Sequence, residues 1–473
     1  MPEIKVKNTL GRRLETFRPE NPPQVSMYVC GPTVYDYTHI GHARTYVVFD
    51  AIKRYLSLKG FDVFHIQNIT DIDDKIIDRA KAESRDWHDI VEEYTRDYME
   101  QIEKLGIHVD LHPRVTHHIN EIIEFIQGLI DKGHAYVAPS GSVYFSVDTY
   151  DDYGALSGRI SKELWGQEEE FISEKKSPYD FALWKSRKPG EPYWNSPWGP
   201  GRPGWHIECS VMSTRYTGES LDIHGGGSDL IFPHHENERA QSETFLGKRP
   251  WVKYWLHTGM LLVSGEKMSK SLGNIIPLKE ALGKWGPHVL RLWLLSAYYR
   301  SPLDYTETGL EQAQRLHERL VHSYQVSLRR VEKLEPSYYL DTKDIATLKR
   351  ILDIRREWDR ELSNDFNFGA AMRWLWELTG VYYKEVEHSE SNALLALYLS
   401  SIEDMNSVYY FMEEAAARGP IGLENQLIDL IVEVRKELRK KKMYDLADHI
   451  RRVLGEMGIK LMDKGEETEW VKD

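Results

Sequence analysis

The sequence predicts an α/β fold built on a parallel sheet and continued by a long helical region. Three observations carry this. An apolar run ending at Cys30, an amphipathic stretch to Leu58 and a second apolar run from Phe61 to Ile69 read as strand, helix and strand. After a polar stretch rich in Pro and Gly, apolar periodicity returns over about 205–262, so an insertion splits the sheet domain into two halves. From 306 onward the pattern is helix after helix, rich in Leu, Arg and Glu, with almost no strand signal.

Each element follows from local residues. Val25, Met27 and Val29 alternate with Gln24, Ser26 and Tyr28, a strand that ends at Cys30. From His42 to Leu58, Tyr46, Phe49, Ile52, Tyr55 and Leu56 recur at helical spacing, and Gly60 supplies the stop. The resulting βαβ unit implies a right-handed crossover. Ligands on such sheets bind beyond the carboxyl ends of the strands, which is where the loop from Cys30 to His42 must lie. Residues 121–133 form an amphipathic helix, and Val143, Phe145 and Val147 alternate like a half-exposed strand. The insertion ends in Trp198-Gly-Pro-Gly-Arg-Pro-Gly204, and Pro420-Ile-Gly marks a boundary before a last basic segment. The organisation expected is therefore 1–130 and 204–262 for the two halves of the sheet domain, 131–203 for the insertion, 263–305 for a loop region, 306–419 for a helical bundle and 420–473 for a C-terminal segment.

Composition bounds the function. A chain of 473 residues exceeds one hydrophobic core. It has no apolar run of ~18 residues, and its N-terminus lacks the apolar core of a signal peptide. Two cysteines 179 positions apart make no disulfide framework, so a reducing, cytoplasmic setting is expected. The net charge of −13 argues weakly against nonspecific polyanion binding, without excluding a local basic surface.

Both cysteines sit in Gly- and His-rich turns. The first opens Cys30-Gly-Pro-Thr-Val-Tyr-Asp-Tyr-Thr-His39-Ile-Gly-His42. The second lies in Gly204-Trp-His-Ile-Glu-Cys209-Ser, shortly before Asp222-Ile-His-Gly-Gly-Gly-Ser-Asp-Leu-Ile-Phe-Pro-His234-His-Glu-Asn-Glu238. Pro233 can open a helix, which puts His234 and Glu238, at i and i+4, on one face. Two thiolates, an imidazole and a carboxylate suit zinc better than harder cations. Donors from three separated segments make a cleft site, not a self-contained metal knuckle. Three other readings stay open at this point: buried cysteines acting as small hydrophobes beside satisfied histidines, a structural disulfide, and a magnesium site of Asp222, Asp229 and Glu236.

A second constellation faces a nucleotide. His39 and His42, at i and i+3, flank the first turn of a helix, and Gly41 permits close approach. The exposed N–H groups and dipole of that helix end favour a phosphate. Far along the chain, Gly265-Glu-Lys267-Met-Ser269-Lys270-Ser-Leu-Gly273 places two lysines in a glycine-bracketed loop that could close over a triphosphate.

Together, His39-Ile-Gly-His42 and Lys267-Met-Ser269-Lys270-Ser271 resemble the signature pair of the class I aminoacyl-tRNA synthetases. The segments around Cys30, Cys209 and Asp222–Glu238 resemble specifically the cysteine–tRNA ligases of that class, as do Asn68-Ile-Thr-Asp-Ile-Asp-Asp-Lys75 and Asp180-Phe-Ala-Leu-Trp-Lys185. The likeness runs over essentially the whole chain. It implies a Rossmann-like parallel-sheet catalytic domain with an inserted connective domain, then an α-helical bundle and a small C-terminal tRNA-binding domain. It further implies zinc held by Cys30, Cys209, His234 and Glu238, with Glu238 loosely held so that the substrate thiolate can enter as a further ligand. Thr70, Trp205 and His224 match positions around the substrate. His39, Gly41, His42, Lys267, Ser269 and Lys270 match the ATP site, with His39, His42, Lys267 and Lys270 in catalytic roles. The partners implied are L-cysteine, ATP with magnesium as substrate, and tRNA(Cys), with no membrane and a monomeric state.

The last segment carries Arg435, Lys436, Arg439, Lys440, Lys441, Lys442, Arg451 and Arg452 against four acidic residues between 433 and 452, a phosphate footprint on an acidic protein. One stretch departs from the family: where many members read Asp-Asp-Phe-Asn-Thr-Pro, this chain has Asn364-Asp-Phe-Asn-Phe-Gly369. Two competing functions share the core motifs. One is a ligase that transfers cysteine to an amino-sugar; the other is a non-catalytic zinc- and RNA-binding paralogue.

Overall fold

The computed structural model describes residues 3–159, 161–166, 172–268, 272–333, 340–413, 423–464 and 467–472. The chain divides into two compact units, Met1–Leu310 with Asp359–Ala371, and Glu311–Trp358 with Met372–Asp473.

The first unit is organised on a four-stranded parallel sheet. Strand β1 (Gln24–Val29) is followed by helix α1 (Ile40–Leu58) and strand β2 (Asp62–Gln67); helix α2 (Asp74–Glu83) comes next. After the insertion come helix α3 (Trp205–Thr217), strand β3 (Leu221–Gly227), helix α4 (Glu236–Leu246) and strand β4 (Val252–Thr258). The strand order is β4-β3-β1-β2, every neighbouring pair parallel. Because β1 is central, Val25, Met27, Tyr28 and Val29 are all buried, so Tyr28 turns inward where simple alternation would expose it. Helix α1 buries Val47, Val48, Phe49, Ile52, Tyr55 and Leu56, each worth about 1.5–3 kcal/mol of burial, so packing holds it in place. Lys59 caps it and Gly60, at φ +89°, turns the chain out.

The insertion is a four-stranded antiparallel sheet of Ala135–Val137, Val143–Phe145, Phe181–Ser186 and Gly201–Pro203. The strand at 143–145 is not half-exposed. Val143, Tyr144 and Phe145 are all buried, because Phe145 stacks on Phe181 while Tyr144 packs against Tyr136 on the other face. After β4 a tight hairpin pairs Leu261–Val263 with Glu266–Lys267 through Ser264 and Gly265, both at positive φ. Two successive positive φ values match the strand twist of a short hairpin.

The second unit is helical apart from its last hairpin. Ile459–Lys464 pairs with Glu467–Lys472, and Ile459, Leu461 and Trp470 join Ile428, Val432 and Leu454 in a small core. The sequence reading missed these strands because each is only six residues long and mixes Lys, Asp or Glu with adjacent apolar pairs, so no strict alternation marks them. Among the described residues, no helix is long and apolar enough to cross a membrane.

The departing segment 364–369 belongs to the first unit and is a packing corner. Asp365 and Phe366 adopt positive φ, and the Asp365 carboxylate accepts the Lys7 N–H at 2.7 Å and the Arg300 Nε–H at 2.8 Å. A Cβ on Gly369 would stand 2.8 Å from the Ala297 carbonyl carbon. These requirements are internal, so the segment's residues are set by packing.

Candidate active site

The carboxyl ends of β1, β3 and β4 open onto a cleft of about 310 Å³. Its walls include Cys30, Thr70, Trp205, Cys209 and His234 together with His39, Gly41, His42 and Lys267. The two constellations read from the sequence therefore share one cavity. Ser269 and Lys270 lie outside the described residues.

The donor side begins where β1 ends. The chain turns at Cys30-Gly31, and a Cβ on Gly31 would fall 1.7 Å from the Asn68 carbonyl oxygen, so only glycine permits this approach. Asn68 fixes the turn by accepting the Gly31 N–H at 2.8 Å through its side chain. Cys209 comes from the first turns of α3, with its sulfur 3.9 Å from that of Cys30. That separation is nearly twice a disulfide bond, and both cysteines are free. His234 and Glu238 stand at the entry to α4. The helix proper starts at Glu236, not at Pro233, and a wide five-residue turn, Ile231–His235, precedes it. The turn still delivers the expected pair, with His234 Nε2 3.0 Å from Glu238 Oε1. The sulfur of Cys30 is 3.5 Å from that same oxygen. The donor atoms of Cys30, Cys209, His234 and Glu238, all buried, lie within 4.8 Å of one another.

Electrostatics bind the cluster. The hydrogen bond from the Cys30 thiol brings Cys209 down to about 6, against the effect of burial. Burial and that same donated bond push Cys30 the other way. At His234, burial is outweighed by the Glu238 carboxylate and the Cys209 sulfur, which push the imidazole up to about 10. Burial likewise acts against the Glu238 charge, and His224 with His234 holds its carboxyl well below the usual range. Two sulfurs, an imidazole and a carboxylate converging in one buried cluster are the donor types zinc prefers, and binding it would release the proton that the cluster keeps on His234.

Trp205 and Thr70, expected around the substrate, are joined by His206, His235 and His257, which the sequence reading did not single out. His206 Nδ1 lies 2.9 Å from His234 Nδ1, and Trp205 stacks on the His234 ring at 4.3 Å. Both fix the ring with Nε2 toward the cluster, as outer partners of metal-binding histidines do. Thr70 accepts from Asn68 Nδ2 at 3.1 Å and donates to Glu208 at 3.4 Å, so its hydroxyl is oriented from behind. His235, next to His234, places Nε2 3.3 Å from Cys30, while its Nδ1 meets His257 Nε2 at 2.7 Å. Cys30, His224, His235 and Glu238 thus form a second convergent set. The doubled His234-His235 was the only sequence signal for it.

His224 departs from the expected position. It is fully buried, does not line the cleft, and meets Glu238 Oε2 at 2.8 Å with its ring stacked on Trp255 at 4.5 Å. In this position its ring orients the Glu238 carboxylate. The magnesium alternative also dissolves. Asp222 accepts from the Glu20 N–H and from Ser26, Glu236 accepts from the Ser157 N–H, and Asp229 alone lines the cleft.

On the phosphate side, His39 is the N-cap residue of α1 and His42 follows in its first turn, their rings stacked at 3.7 Å. Burial drives His42 well below the ordinary imidazole range, so it is neutral at physiological pH. A Cβ on Gly41 would meet Met268 at 2.8 Å and His39 at 3.0 Å. The backbone is bare there, with the Met268 side chain lying against it.

Comparison with known proteins gives the chain a family. The family model "tRNA synthetases class I (C) catalytic domain" matches residues 16–315. The cysteine–tRNA ligase of Aeropyrum pernix is 62% identical over 469 residues, covering 99% of both chains. That of Saccharolobus solfataricus is 51% identical over 467 residues, covering 99% of this chain and 98% of the other. Among solved structures, a Mycobacterium tuberculosis methionyl-tRNA synthetase in complex with methionyl-adenylate aligns at TM-score 0.61 and 18% identity, covering 86% of this chain and 94% of its own. The LeuRS–tRNA–LeuAMS complex of Agrobacterium radiobacter K84 aligns at TM-score 0.66 and 12% identity, covering 86% of each chain. These two speak for the fold alone, whereas the full-length relatives and the matching catalytic domain speak for descent. The chain belongs to the cysteine–tRNA ligase family of the class I aminoacyl-tRNA synthetases.

Proposed function

We propose that this enzyme attaches L-cysteine to tRNA(Cys) by way of cysteinyl-adenylate, selecting cysteine through a zinc-held thiolate. The observation that carries the reading is the single cleft lined both by Cys30, Cys209 and His234 and by His39, His42 and Lys267. A thiol-recognising side and a phosphate-recognising side in one cavity are what joining cysteine to a nucleotide requires.

Cys30, Cys209, His234 and Glu238 would hold the zinc. When bound there, the metal supplies a soft position that takes a thiolate and rejects a hydroxyl, and a site built for one polar substrate group can discriminate by roughly 10⁴-fold without editing. We prefer this set to the one with His224 and His235, because Cys209 and His234 line the cleft while those two histidines do not. Glu238 is held from behind by His224, which leaves only its Oε1 edge facing His234 and Cys30.

Trp205 and Thr70 would flank the amino acid. The cysteine carboxylate then attacks the α-phosphate of magnesium–ATP. It is already an anion, so the step needs no general base. His39 and His42 would hold the phosphates at the bare end of α1, and Lys267 would offset charge on the departing pyrophosphate. Lys270 and Ser269 share that role on the strength of the sequence motif. The cysteinyl group then passes to the 2′-hydroxyl of the terminal ribose of the tRNA. Relatives that match over 99% of the chain, helical unit included, favour tRNA over an amino-sugar as acceptor.

The test is pyrophosphate exchange into ATP. It should depend on cysteine and vanish without it; absence of exchange in folded, zinc-loaded protein would rule the reading out.

A further inference from the structure

We propose that Lys75 is a further catalytic residue of this cleft: its ammonium contacts the α-phosphate of ATP and offsets the charge that shifts through it as the cysteine carboxylate attacks. The proposal rests on the adenylate reading above.

Lys75 is the second residue of α2 and lines the cleft. Its Nζ stands 5.6 Å from the Tyr35 ring centre and 5.8 Å from that of Trp205. Tyr35 belongs to the loop that leads to His39, and Trp205 stacks on His234. The ammonium therefore touches one ring from the phosphate side and one from the donor side. The α-phosphate must sit where those sides meet, because it is the atom the amino acid attacks.

The ammonium is also uncommitted. Its neighbour Asp74 is taken by Lys185 at 2.7 Å and by Arg202. Asp73 caps α2 by accepting the Lys75 backbone N–H at 2.9 Å. Among the described residues, no carboxylate forms an ion pair with Lys75 Nζ. Two aromatic faces hold a cation weakly and leave its hydrogens for an anion.

Charge accounting gives this cation a role beside the magnesium that accompanies ATP. Lys75 and Lys267 are the two lysines among the described cleft-lining residues, and no arginine joins them. His42 is neutral, so it can donate a hydrogen bond but brings no charge. In the step itself, a carboxylate oxygen bonds to the α-phosphorus and the bond from that phosphorus to the bridging oxygen breaks. The bonding pair leaves on pyrophosphate and no proton moves. Negative charge thus passes from carboxylate through the α-phosphoryl oxygens to the leaving group. A fixed cation beside the α-phosphate favours the midpoint of that transfer, while Lys267 serves its end. Losing one such preorganised partner typically slows catalysis by about 10²–10³-fold.

The experiment measures cysteine-dependent ATP–pyrophosphate exchange, zinc content and single-turnover transfer to tRNA for wild type, Lys75→Met and Lys75→Arg. Lys75→Met should lower exchange kcat by about 100-fold, with zinc content and cysteine KM unchanged, and Lys75→Arg should recover most of the rate. Exchange within twofold of wild type in Lys75→Met overturns the assignment, including the case where only transfer to tRNA falls. So does a loss in both variants that tracks loss of zinc. If the wild type itself shows no exchange, the adenylate reading has failed and Lys75 with it; if the wild type exchanges normally and Lys75→Met does too, only Lys75 has failed.

Discussion

Two clusters in this protein looked functional in the amino-acid sequence, and the structure treats them in opposite ways. In the first unit, Cys30, Cys209, His234 and Glu238 converge at contact distances that satisfy none of them fully. The sulfurs are 3.9 Å apart, and one carboxylate oxygen is shared between His234 and Cys30. In the second unit, part of the basic run forms a closed network. Arg435, almost fully buried, grips Asp463 with two nitrogens at 2.7 and 3.0 Å, and Arg439 and Arg451 bind the same carboxylate. Three of the eight residues read as a phosphate footprint are thus occupied internally. A cluster is a candidate site when its groups leave a demand unmet. When they meet it among themselves, they are holding the fold together.

Six substitutions test that contrast, beginning with the largest effect. Cys30→Ser removes a soft donor from the open cluster. Bound zinc should fall from one per chain to near none by metal analysis, and the roughly 10⁴-fold preference for cysteine over serine in exchange should collapse. Unchanged zinc and unchanged preference would break the comparison at its first term. Next, Lys267→Ala should slow exchange about 10²-fold with cysteine affinity nearly intact, as expected of a group that meets charge at the transition state. A collapse of cysteine binding instead would place it on the wrong side of the cleft.

The closed network should answer in stability, not activity. Asp463→Asn strands the Arg435 charge and should cost about 3 kcal/mol, read as a lower denaturation midpoint with cysteine-dependent exchange unchanged. Acid should mimic it. The hydrogen bonds from Arg435 hold the Asp463 carboxyl well below its ordinary value. Its contribution is therefore complete above the unfolded carboxylate pKa of about 4 and is lost as pH falls toward the folded value. Smallest of all, Lys441→Ala and Lys442→Ala should each weaken tRNA binding a few-fold and lower the salt slope by about 1, while Arg451→Ala should leave the slope alone.

Much of this was legible in the chain because its chemistry is local or repeated. The βαβ unit could be read from periodicity, and the bare helix end from His39-Ile-Gly-His42 between two apolar runs. Both cysteines beside glycines and histidines pointed to one convergent donor set, although Cys209 stands in a helix and not in the turn expected. The rest depended on packing that no spacing encodes. His224 sits in a motif like a substrate contact, but β3 aims it at Trp255 and the back of Glu238. His206 and His257 carry no motif of their own, and only the tertiary fold brings them to the rings they orient. The final hairpin hid because its short strands mix charges and apolar residues without strict alternation. The departure at Asn364–Gly369 was legible, but the positive φ and close packing at Asp365, Phe366 and Gly369 were not.

The most direct test of the account is pyrophosphate exchange with cysteine and with serine on one preparation whose zinc is measured and then removed by a chelator. The account predicts one zinc per chain, exchange favouring cysteine by about 10⁴-fold, and loss of that preference with the metal. Undiminished, cysteine-selective exchange by zinc-free protein would contradict it.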